Sequence, residues 1–105
     1  MTLKVQKSIS VNTLKIFSFE LKLYLDFSNL REYYFQAVSN SSWANEGYLV
    51  CLEIKDDIEL FNELKRLNNA FGIGIIKLNK DDVSQSEILL PAVEKPIWIG
   101  IQLID

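Results

Sequence analysis

Lys15-Ile16-Phe17-Ser18-Phe19-Glu20-Leu21-Lys22-Leu23-Tyr24-Leu25-Asp26-Phe27 decides how this chain reads. Its odd positions from Phe17 to Phe27 are all apolar, while Ser18, Glu20, Lys22, Tyr24 and Asp26 fall between them. A period of two sustained over that length predicts a long strand with one buried, apolar face. The same alternation sends Glu20 and Lys22 to the opposite face, about 6.6 Å apart along the strand.

Asn29 follows with Glu32 three residues later, a capping pattern, and Leu30, Tyr33, Tyr34, Ala37 and Val38 recur at helical spacing. A helix over residues 30–40 is expected. Residues 39–47 read as a polar loop, and residues 48–54 are apolar on both parities apart from Glu53, which predicts an interior strand covered on two faces. Asp56 with Glu59 repeats the capping pattern, and Leu60, Phe61, Leu64, Leu67, Asn68 and Phe71 mark the inward stripe of a second helix stopped by Gly72. Strand, helix and strand imply a right-handed parallel crossover. Residues 73–78 and 87–90 read as short strands, residues 80–85 as a polar turn, and residues 97–104 as an edge strand. Pro91 and Pro96 suit sheet margins. The expected fold class is α/β, with a mixed sheet and two main helices. A single domain spans residues 1–105, with its core over Lys15 to Ala92 and an edge strand or tail over Val93 to Asp105.

Composition narrows the chemistry. At 105 residues and 49% hydrophobic content, one core is expected. Histidine is absent, which removes imidazole acid–base catalysis and Ser-His or Cys-His nucleophile pairs. The lone Cys51 sits in an apolar run and reads as a small buried hydrophobe in a reducing, cytoplasmic setting. No apolar run approaches bilayer length, so no membrane partner is expected. A net charge of −3 opposes tight autonomous binding to a phosphate backbone. What remains is carboxylate and lysine chemistry.

An acid followed two residues later by lysine occurs at Glu20/Lys22, Glu53/Lys55 and Glu63/Lys65. Glu63 and Lys65 fall mid-helix and diverge, reading with Glu59 and Arg66 as a solvated face. Glu53 and Lys55 end a strand, where solvated charge is common. Only Glu20 and Lys22 share one face in the middle of a strand. There a carboxylate can hold Mg²⁺ or Mn²⁺ while an ammonium meets the attacking water and the phosphate charge, as metal-assisted phosphodiester cleavage requires. The plain alternative is a half-exposed strand face. Gly72 and Gly74 enter a strand rather than open a helix, so they read as a helix stop, not a phosphate loop. Ser39, Asn40, Ser41, Ser42, Trp43, Asn45 and Glu46 form the densest polar cluster. It reads either as the border of a phosphate or metal cleft or as a helix end and loop whose Trp43 plugs the core.

The string Phe17-Ser-Phe-Glu-Leu-Lys22, with Asn29 through Val50, Leu67 through Leu78 and Ser86 through Ala92, resembles the C-terminal part of HrgA-like bacterial winged-helix, restriction-associated proteins. That family is similar to the PD-(D/E)XK restriction-endonuclease superfamily. The resemblance implies a restriction-endonuclease-like fold truncated on its N-terminal side. It places Glu20 as a metal ligand, Lys22 as the lysine that orients water or stabilises the phosphate, and Gln36 on the next helix as a polar residue near the metal. It also implies an acid upstream of this strand, yet residues 1–19 contain no Asp or Glu. Asp26, Asp56 and Asp57 are the downstream substitutes.

The function expected on these grounds is a remnant of a Mg²⁺-dependent restriction-type DNA endonuclease domain, inactive alone for want of the second acid. The rival is a non-catalytic interaction or structural module, dimeric through its C-terminal strand, with Trp98 in edge packing or a dimer contact. DNA is the partner implied by the first reading and a homodimer by the second.

Overall fold

In the computed structural model, residues 15–96 are described. The alternating stretch forms strand β1, Phe17–Leu25. A turn closed by Asp26, whose Oδ1 accepts from the Ser28 and Asn29 backbone N–H groups, leads to helix α1, Leu30–Asn40. Strand β2, Glu46–Ile54, follows, then helix α2, Ile58–Phe71, and strand β3, Gly74–Lys77. A short 3-10 turn, Val83–Gln85, precedes strand β4, Glu87–Leu90. The four strands make one mixed sheet in the order β1-β2-β3-β4: β1, β2 and β3 are parallel and β4 runs antiparallel to β3. The fold is α/β, as the alternation of strand and helix patterns predicts.

Both helices pack on the same side of the sheet. Leu30, Tyr34 and Ala37 of α1 and Leu60, Leu64 and Leu67 of α2 meet Leu49, Cys51, Ile73 and Ile75 in one buried cluster. Arg31 of α1 reaches Glu63 of α2 across the top of that layer. Tyr34 ties the layers together: its hydroxyl donates to the Ile73 carbonyl at 3.0 Å and accepts from the Ile73 N–H at 3.1 Å. Burial pushes the Tyr34 phenol up to about 12 and the Cys51 thiol up to about 12. Cys51 is thus the buried hydrophobe its setting suggests.

Among the described residues the other side of the sheet carries no helix, and this reverses the expectation for β1. Phe17, Phe19, Leu21 and Leu23 face outward, with Phe19 61% and Leu23 71% exposed, while Ser18, Glu20 and Lys22 turn toward α1. Alternation correctly groups these side chains by face, but helices on one side only leave the apolar group uncovered. The alternation also breaks at the strand end, where Leu25 rather than Tyr24 joins the core, and the strand stops before Phe27. On β2, Tyr48 and Val50 are buried as expected of an interior strand. Phe19 stacks on Tyr48 with ring centroids 5.8 Å apart.

Local signals fare unevenly. Helix α1 spans the predicted residues, but Asn29 makes no side-chain cap; its Oδ1 accepts from Asp26 N and its Nδ2 donates to Tyr24 O. Asp57, not Asp56, caps α2 by accepting from Glu59 N at 3.0 Å. Gly72 ends α2 at φ 77°, in the left-handed region that disfavours any side chain with a Cβ. Phe71, expected inward, is half exposed and packs edge-on against Phe35. Trp43 is 49% exposed and does not plug the core; Ala44 beside it is fully buried. The edge strand expected over residues 97–104, and Trp98 within it, lie outside the described residues. No described helix is long and apolar enough to cross a membrane.

Candidate active site

Glu20 and Lys22 stand mid-strand on β1, paired in register with Leu49 and Cys51 of β2. Their side chains share the face toward α1, as the period of two requires. Lys22 Nζ lies 3.7 Å from Glu20 Oε2, and the two side chains are 23% and 21% exposed. Helix α1 supplies the rest of the setting. Asn40 Nδ2 donates to Glu20 Oε1 at 2.8 Å, Ser18 Oγ donates to the Asn40 carbonyl at 3.3 Å, and the Lys22 ammonium sits 4.6 Å from the centre of the Tyr33 ring. Tyr33, Gln36 and Asn40 fall three and four residues apart, so they form one stripe along the helix. Gln36 is half buried in the middle of that stripe. The hydrogen bond to Glu20 comes from Asn40 instead.

Asn40 is the residue that sequence reasoning missed. It stood within the polar cluster, where asparagine at a helix end is an ordinary turn former. Its spacing from Tyr33 is the available signal, because a helix laid over β1 brings Tyr33 against Lys22 and Asn40 against Glu20. The remainder of the polar cluster serves the loop: Ser41 is buried with its Oγ donating to the Val38 carbonyl, and the Asn45 carboxamide oxygen accepts from Ile16 N.

The pair is well placed for electrostatics and poorly supplied with ligands. The Lys22 ammonium can attract an anionic group and the Glu20 carboxylate a cation, on a face only partly screened by water. Magnesium bound by protein alone wants more hard oxygens than one carboxylate provides. The downstream acids do not supply them. Asp26 is six residues along the strand from Glu20, about 20 Å, and is engaged by Ser28, whose hydroxyl, with the local backbone N–H groups, holds its carboxyl below the usual carboxylate range. Asp56 and Asp57 lie beyond the end of β2, seven and eight residues past the partner of Glu20. Among the described residues no group of three or more His, Cys, Asp or Glu side chains is placed to hold a metal ion. The residues present fit one ligand of such a site, not the site.

A concavity lies elsewhere among the described residues. A cleft of about 590 Å³ opens at the C-terminal ends of β1, β2 and β3, lined among others by Tyr24, Glu53, Lys77, Lys80 and Glu87. That is the end of a parallel sheet where α/β proteins usually bind ligands. Neither Glu20, Lys22 nor Gln36 lines it. The acid–lysine chemistry and the open cavity therefore occupy two different places on the sheet.

Compared with protein-family models, with curated proteins and with solved structures, the chain matches none.

Proposed function

We propose that this chain is a remnant of a Mg²⁺-dependent, restriction-type DNA endonuclease domain of the PD-(D/E)XK kind, without cleavage activity of its own. The reading rests on one observation: Glu20 and Lys22 project side by side from one strand face, 3.7 Å apart, under the first helix. In that role Glu20 is the retained metal ligand, Lys22 is the retained lysine, and Gln36 with Asn40 forms the polar helix stripe beside them. Mg²⁺ or Mn²⁺ would supply phosphate polarisation and an acidified water once a second acid completed the set. Because the described residues hold one such acid, no cleavage step is derived for the chain, and DNA is a partner of the completed domain rather than of this one.

Calorimetric titration with Mn²⁺ tests the reading. Weak binding at millimolar metal that vanishes in Glu20→Ala supports it, as does the absence of DNA cleavage by the chain alone. Binding that survives Glu20→Ala, or cleavage indifferent to that substitution, rejects it.

The second reading, a non-catalytic interaction module, is favoured by a separate observation. Glu20 is already engaged on both oxygens, by Asn40 and Lys22, as in a structural ion pair. No Mn²⁺ binding at millimolar concentration would leave this reading standing.

A further inference from the structure

The helix-free face of the sheet presents Phe17, Phe19, Leu21 and Leu23 from β1, with Ile76 of β3 partly exposed and Ile88 of β4 open to solvent. An apolar stripe of this extent on a sheet calls for a cover. We propose that the cover is this chain's own segment 97–104, laid in extended form over the outward side chains of β1. The inference is independent of the nuclease reading.

The path of the chain up to that point carries the argument. After β4, residues 91–95 turn back across the N-terminal ends of the strands. Val93 N donates to the Gly72 carbonyl at 2.9 Å, beside β3. Ala92 N passes so close to Gly74 that a Cβ there would lie 2.7 Å from it and 2.5 Å from the Tyr48 ring. Gly74, Tyr48 and Phe19 are in register, and the rings of Tyr48 and Phe19 stack on the outward side, so the crossing already runs along the helix-free face. Two residues on, Lys95 N donates to the Asn45 carbonyl and Asn45 Nδ2 donates to the Lys95 carbonyl, both at 2.9 Å. Lys15 Nζ meets Glu94 at 3.3 Å. By Lys95 the chain has moved from β3 to Asn45, whose own N–H donates to the Ile16 carbonyl just before β1.

The segment beyond Pro96 has the composition to fit the stripe. Residues 97–104 are Ile-Trp-Ile-Gly-Ile-Gln-Leu-Ile, with no charged residue and with Ile97, Ile99, Ile101 and Leu103 on one parity. Eight extended residues span about 26 Å, enough to run the length of Phe17 to Leu23. Residues 1–14 are a poorer match, since Lys4, Lys7, Ser8, Ser10 and Asn12 interrupt them. A second copy would have to compete with a segment tethered a few residues away at high effective concentration.

A tryptophan on the parity that faces the stripe provides the readout. Trp43→Phe and Trp98→Phe remove both native tryptophans, and Ile99→Trp adds one among the side chains laid on β1. In that background, the single tryptophan should resist acrylamide quenching severalfold better than the same tryptophan in a peptide of residues 95–105, at every protein concentration and at monomer mass by light scattering. Leu21→Asp, or independently Leu23→Asp, should raise quenching to the peptide level while the far-ultraviolet circular dichroism is retained. Deleting residues 97–105 should raise binding of an apolar dye severalfold. Peptide-like quenching of the single tryptophan in this background overturns the proposal. So does shielding that appears only with dimer mass, which would assign the face to a second copy, and so does dye binding unchanged by the deletion, which would assign it to residues 1–14.

Discussion

The two faces of this one sheet are built from the same kinds of side chain and have opposite surroundings. On the helix side, Leu49, Cys51 and Ile75 are closed in by six helical residues and excluded from water. On the other, Phe19, Leu21 and Leu23 are just as apolar and stand open among the described residues. At β1 the contrast inverts ordinary amphipathic logic: the charged pair faces the helix and the aromatic stripe faces away. Strand periodicity states which side chains travel together. Which group meets a helix depends on where the crossovers run, and here both run on one side.

Truncating one leucine on each side should make the asymmetry measurable. Leu64→Ala, at a fully buried helix position, should lower stability by about 3 kcal/mol in urea denaturation, since it removes buried methyl groups and leaves a cavity. Leu23→Ala should cost about 1 kcal/mol or less, because that side chain is already 71% exposed and its truncation leaves no closed cavity. Equal losses would erase the distinction between the faces.

Next in size is the hydroxyl that fastens α1 to β3. Tyr34→Phe keeps the ring and removes the only group that both accepts from Ile73 N and donates to Ile73 O. The carbonyl keeps Asn68 Nδ2 as a donor at 3.0 Å, but the buried N–H loses its acceptor. A cost of about 2 kcal/mol is expected, from the desolvation of an unpaired group. A neutral substitution in thermal denaturation would mean water reaches this layer.

How far the sequence carries the reading depends on the physical origin of each signal. Helix α1 and strand β4 fall where periodicity and flanking turn residues place them, because those cues are local. Asn29 has the look of a cap and is not one, since its carboxamide bridges Tyr24 and Asp26 in the preceding turn, a competing use of the same group. Trp43 has the look of a core plug, but the small Ala44 takes the buried place. The shared face of Glu20 and Lys22 is legible in a period of two. Asn40 is not, because its contact with Glu20 exists only once α1 is laid across β1, twenty residues away in sequence. The cleft at the strand ends gathers Glu53, Lys77 and Glu87 from three strands and has no local signature at all.

The helix-covered layer also sets an alkaline limit. The folded chain holds the Cys51 thiol and Tyr34 phenol protonated up to about 12, above their ordinary values of 9.0 and 10.0. Above the ordinary values the unfolded chain releases protons that the folded chain keeps, so stability is full below pH 9 and falls between about pH 9 and 12. Cys51→Ala should start that decline about one pH unit later, at the tyrosine value. Native Cys51 should resist a thiol-specific disulfide reagent and react in denaturant; fast native labelling would place Cys51 on the open side of the contrast.

The smallest effect belongs to the charged pair, and it separates its two roles. Glu20→Gln keeps the shape and one acceptor for Asn40 but removes the attraction to Lys22. Ion pairs with this much solvent contact contribute little, so a stability change under about 1 kcal/mol is expected. Under the remnant-site reading the same substitution should abolish Mn²⁺ binding while leaving the urea midpoint nearly unchanged. A pair retained purely for packing gives the reverse pattern, with a midpoint that moves clearly and falls further at low salt, and no metal response in either protein. The two measurements on one variant therefore decide whether the charged face of β1 is the relic of a site or a seam between strand and helix.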